Sequence, residues 1–185
     1  MTEGRIFKID KVPEGSRLET YLRELPKVFK GDKQEVLSYL NKMFVECLKF
    51  SEQEMRFNYL PQMTLMLVTD HEEFKKLEQV ESQKAKSKEE SRLQATAFTV
   101  GNKFAVRIYV DLESFINMLK HGWATFVFNV VETHFHEILH AAYPQKFEQE
   151  IHDLQCPLIE RFLGIPLPEE IRKLKASDYY SNRLP

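Results

Sequence analysis

Apolar residues recur in three- and four-residue steps towards both ends of the chain and in two-residue steps between them, which predicts helices around a small sheet. Ser16, with Glu19 three residues on, forms a capping box opening a short helix with Leu18, Tyr21, Leu22 and Leu25 on one face. Asp32 and Glu35 repeat the signal before a longer helix, where Val36, Leu37, Leu40, Met43, Phe44, Cys47 and Leu48 keep helical spacing to about residue 56. Residues 63–69, bounded by Pro61 and Asp70, read as a strand. Residues 81–94 hold almost no apolar side chains and read as a solvated helix or, as their composition favours, a mobile surface insertion. Residues 95–100 and 104–110 then alternate around Gly101 and Asn102, a β-hairpin pattern.

Beyond the hairpin the period returns to helical. Asp111 caps a short helix carrying Leu112, Phe115, Ile116 and Leu119, and His121 and Gly122 lead into a long one over residues 123–143. On that helix Val127, Val130, Val131, His134, Ile138 and Ala141 share one side, while Glu132, Thr133, His136, His140 and Tyr143 share the other. Pro144 stops it. A second helix over residues 146–155 has Phe147, Ile151 and Leu154 as apolar positions, so the two should form a tight antiparallel hairpin. Residues 166–175 suggest a last short helix and residues 176–185 a polar tail.

Composition narrows the functional classes. With 185 residues and 43% hydrophobic content the chain can bury a full core as one domain. A net charge of −2 gives no reason to expect nucleic acid or anionic membranes as partners. No apolar run approaches the ~18 residues of a membrane span, and the first residues lack a signal-peptide core, so the expectation is a soluble, cytoplasmic protein. Cys47 and Cys156 lie far apart in helical apolar patterns and read as buried thiols.

The chemistry concentrates at His136, Glu137 and His140, which spell His-Glu-x-x-His within the long helix. Residues four apart share a helix face, so both imidazoles can reach one zinc ion at roughly 2.0–2.1 Å, with Glu137 beside the open coordination position as general base. His134, two residues before the motif, points nearly the opposite way and reads as a satisfied core histidine. Glu132 lies one turn before His136 and reads as a solvated glutamate, with lining of the cleft as its functional alternative. Tyr143 is on the metal face, where it either stabilises an oxyanion or packs at the helix end. For a third ligand, a turn centred near residue 145 sets the level of the metal opposite His152, and Glu148 lies one turn earlier on the same face. One of the two should be the ligand and the other a supporting group beside it.

These residues resemble the zincin clan of zinc metallopeptidases. Tyr143 and Lys146 stand where the metzincin branch has Gly and His, so the resemblance is to a minimal gluzincin, whose third ligand comes from the next helix. It covers roughly residues 95–163. It implies Glu148 as the ligand, against His152 from the level argument, with Glu160 a third choice. The fold expected is α+β: a helix-rich single domain with a small, mainly antiparallel sheet of about three strands packed on the active-site helix, then a second, ligand-bearing helix. Its divisions are N-terminal helices over 1–57, the sheet and polar insertion over 58–111, the helical zinc-site part over 112–175, and the tail. The resemblance also implies one zinc per chain, a peptide or unfolded-protein substrate, and an edge strand above the cleft that pairs with it, for which residues 104–110 are the candidate. A catalytically silent zinc-binding interaction module is the alternative; it would close the fourth metal position with a protein group, using both Glu148 and His152.

Overall fold

The computed structural model describes residue 9 and residues 11–28, 33–57, 59–84, 97–102 and 104–173. In chain order the elements are α1 (Arg17–Val28), α2 (Lys33–Glu54), β1 (Gln62–Val68), α3 (His71–Lys84), β2 (Ala97–Gly101), β3 (Ala105–Asp111) and α4 (Leu112–Met118). After a 3-10 turn at Leu119–His121 come α5 (Trp123–Ala142), α6 (Glu148–Leu163) and α7 (Glu169–Arg172). The architecture is α+β, as expected. Among the described residues no helix is long and apolar enough to cross a membrane.

Local signals set the starts of α1 and α4. Ser16 Oγ accepts from the Glu19 amide at 3.1 Å, and the Glu19 carboxylate reaches back to the Gly15 amide at 2.7 Å. Asp111 caps α4 through the amides of Glu113 and Ser114. The cap expected at Asp32, residues 95 and 96 of the first hairpin strand, residues 85–94 of the polar insertion and the tail lie outside the described residues.

α3 has no counterpart in the periodicity analysis. Asp70 Oδ1 accepts from the Glu73 amide at 2.8 Å and starts the helix, which runs through residues 81–84, the beginning of the stretch read as mobile. Its anchor is Phe74, fully buried against Phe98 with ring centroids 5.2 Å apart. One buried aromatic makes too thin a stripe for periodicity to register.

The sheet order is β1-β3-β2. β2 and β3 form the expected antiparallel hairpin, with Ala97 opposite Val110 and Gly101 opposite Val106. A side chain at Gly101 would place its Cβ 2.3 Å from the Ala105 carbonyl oxygen, so only glycine fits the turn. β1 lies parallel to β3, from Gln62 opposite Ala105 to Val68 opposite Asp111. The sheet is therefore mixed and not mainly antiparallel, because β1 pairs with β3, the second strand of the hairpin, which runs the same way as β1 once β2 has carried the chain back across the sheet. The strand expected over residues 104–110 is β3, the central strand and not an edge; the edges are β1 and β2. Asp111, wholly buried at the end of β3, also takes a 2.6 Å hydrogen bond with His71 Nδ1, tying α3 to the start of α4.

α5 is the centre of the core. It packs against α1, α2, α6 and β2, and all its residues from Thr125 to Val131 are buried. Burial extends beyond the valine stripe to Phe126, Phe128, Thr133 and Phe135, so between Thr125 and Ala141 the helix opens to solvent only along a narrow line through Glu132, His136 and His140. Phe162 of α6 meets Phe135 edge-on at 5.3 Å and Phe50 of α2 at 5.2 Å, locking the three helices together. Phe162→Ala should cost about 3–5 kcal/mol of stability in urea unfolding. A loss below roughly 1 kcal/mol would show that the α2–α5–α6 junction is not the keystone of this core.

Candidate metal centre

The site lies where α5 turns into α6. His136 and His140 stand one turn apart on the exposed line of α5, their rings 4.6 Å apart at 75° and their Nε2 atoms 3.1 Å apart. The chain then reverses: the Tyr143 amide closes on the Leu139 carbonyl, the Lys146 amide on the Tyr143 carbonyl, and Phe147 is the N-cap of α6. Glu148 is thus the first residue of α6, with its carboxylate aimed back at α5. Oε1 is 3.1 Å from His140 Nε2 and Oε2 is 3.3 Å from His136 Nε2. Its place in the first helical turn also suits a negative charge.

These separations fit a metal ion. Donors about 2.05 Å from a tetrahedral zinc stand about 3.3 Å from one another, close to the observed 3.1–3.3 Å. His136, His140 and Glu148 form the one such donor group among the described residues. Electrostatics agree. Burial pulls the His136 imidazole down, but the Glu148 hydrogen bond and charge, helped by Glu137 and Glu132, outweigh it and raise the group to about 9. Against its own burial, Glu148 is held well below the usual carboxylate range by hydrogen bonds from His136 and His140. Both shifts share one cause, the Glu148 carboxylate set between two imidazoles, and the charge that attracts the proton would attract a metal cation in its place.

Gln155 fixes the orientation of His136. Its amide nitrogen donates to the main-chain oxygen and to Oε1 of Glu132, both at 2.9 Å, and neither oxygen can donate in return. Its Oε1 therefore faces His136 Nδ1, at 3.1 Å, and accepts a hydrogen bond from its N–H. With the ring proton held at Nδ1, Nε2 is the nitrogen offered to a metal.

His152 is the correction. It lies at the expected level, but it is buried and its Nε2 donates to the Ile171 carbonyl at 2.9 Å, with Cys156 Sγ 3.4 Å away. It does not join the donor group. Register along a hairpin fixes height, whereas the direction of a side chain around the helix follows from packing, and α7 claims that flank of α6. Gln155 takes the supporting role instead. Glu160 is at the far end of α6, bonded to the Leu167 amide and to Arg172.

The remaining candidates are placed as follows. Glu137 is almost wholly buried and accepts a hydrogen bond from the Thr99 hydroxyl of β2. Glu132 is half-buried and bonded to Gln155, so it borders the site as more than a solvated side chain. His134 is in the core, edge-on to Phe44 at 5.6 Å, but it is not satisfied: neither ring nitrogen has a hydrogen-bond partner among the described residues. Burial pushes it down to about 3 and keeps it neutral. Tyr143 packs its ring against Phe57 at 5.7 Å. Cys47 and Cys156 are free thiols.

Sequence reasoning did not single out Gln155 or Thr99. Gln155 lies two turns after Glu148 on α6, a spacing that could have nominated it. Thr99 carries no comparable signal, because its contact with Glu137 depends on how the sheet docks on α5. No protein-family model, no curated protein and no solved structure matches the chain.

Proposed function

We propose that the chain is a zinc-dependent peptide hydrolase of the zincin type, with His136, His140 and Glu148 as ligands and Glu137 as general base. The carrying observation is a three-donor group that stays open. The side chains of His136, His140 and Glu148 keep 21–25% of their surface exposed, and with His152 turned to Ile171 no fourth protein ligand joins them among the described residues. Three protein donors and an accessible fourth position distinguish a catalytic zinc site from a structural one.

Zinc bound there would supply an electrophile that brings the pKa of water to about 7 and polarises the scissile carbonyl. The chain's own residues do the rest. Glu137, next to His136 on the helix, takes the proton from the attacking water as its oxygen adds to the carbonyl carbon, and hands it to the leaving amine when the carbon–nitrogen bond breaks. Gln155 and Glu132 hold His136 in the orientation that keeps Nε2 turned to the ion. An extended substrate has β2, the sheet edge packed on α5, to pair with.

Protein purified without added metal should carry about one zinc per chain by elemental analysis. It should cleave an unfolded protein or a diverse peptide library, lose that activity to a chelator and regain it on zinc addition. Zinc-free protein that shows no affinity for the ion would remove the proposal.

A further inference from the structure

We infer that Thr99 is a positioning residue for Glu137, so that a strand of the sheet sets the direction of the general base. The inference rests on the hydrolase reading above. Thr99 is opposite Ile108 of β3, whose buried side chain places this face of the sheet against the core and α5. Its Oγ1 donates to Glu137 Oε2 at 2.5 Å. No other hydrogen-bond donor reaches that carboxylate among the described residues.

The two oxygens of Glu137 are therefore not equivalent. Oε2 is committed to Thr99, and Oε1 is the acceptor left for the proton of the attacking water. The terminal torsion of a glutamate is broad and roughly two-fold, so an untethered carboxylate samples many orientations. One hydroxyl on a rigid strand removes that freedom. Threonine suits the task, since its β-branched side chain belongs in a strand and still supplies a donor.

Thr99→Val and Thr99→Ser in the zinc-loaded full chain separate positioning from packing. Valine keeps the shape and strand preference but has no donor; serine keeps the donor and is the poorer strand residue. Positioning predicts that Thr99→Val lowers kcat about tenfold, the worth of one hydrogen bond to a charged group, with KM within about twofold and zinc content unchanged. Thr99→Ser should restore most of kcat. A packing role predicts the reverse order, serine below valine, and that result would overturn the inference.

A readout independent of activity is the double-mutant cycle of Thr99→Val with Glu137→Ala in urea unfolding of the zinc-loaded chain. The coupling should change the unfolding constant about tenfold, and none at all would overturn the contact. Wild-type kcat in Thr99→Val, alongside an inactive Glu137→Gln, would sink the role of Thr99 alone. No cleavage by zinc-loaded wild type would overturn the hydrolase reading, and the positioning role with it.

Discussion

Glu137→Gln should abolish peptide cleavage while leaving zinc content and fold unchanged. The substitution is nearly isosteric, and the glutamine carbonyl oxygen can still accept the Thr99 hydroxyl, so the buried contact with β2 survives. What is lost is basicity, because an amide cannot take a proton from water at neutral pH. General-base catalysis contributes roughly 10²–10⁴-fold, so kcat should fall by at least about two orders of magnitude. Zinc should stay because Glu137 is absent from the donor group formed by His136, His140 and Glu148. The measurement pairs elemental analysis with initial rates on an unfolded protein or mixed peptides. Cleavage at the wild-type rate in Glu137→Gln would remove the mechanism, whereas zinc-loaded wild type that cleaves nothing would favour the silent zinc-binding module.

How far the site is legible before folding is a question of which coordinates periodicity supplies. Along α5 it supplies nearly everything. The four-residue spacing of His136 and His140 puts them on one face, and the apolar run around them buries the helix that carries them. Across the hairpin it supplies only height. His136 with Gln155 and His140 with Glu148 pair around a turn close to residue 145, as the break at Pro144 implies. Height alone could not choose between Glu148 and His152, because that choice depends on which flank of α6 meets α7.

The sheet was less legible for a different reason. Alternation locates strands but says nothing of partners, and β1 joins β3 across a helix anchored by the single buried Phe74. The same non-local docking puts Thr99 against Glu137, although 38 residues separate them along the chain. His134 shows the limit from the other side. Its place in the core follows from the valine stripe, but whether its nitrogens find partners depends on what packs against it, and Phe44 of α2 offers only an aromatic ring.

Glu148→Ala and His152→Ala should part widely in zinc affinity. Glu148 supplies one of three donor atoms at metal-compatible distances, so its loss should weaken binding by more than about 100-fold, beyond the range that supporting residues account for. His136→Ala and His140→Ala should do the same. Gln155→Ala removes the acceptor at His136 Nδ1 and should fall in the range of roughly 10–100-fold. His152→Ala should leave affinity within about threefold and instead lower stability by about 1–3 kcal/mol, because the Ile171 carbonyl loses its buried donor. Competition with a chromogenic chelator reads the affinities, and urea unfolding reads the stability. A larger affinity loss from His152→Ala than from Glu148→Ala would mean that the first turn of α6 does not face the ion, and the ligand set would have to be redrawn around the opposite flank of that helix.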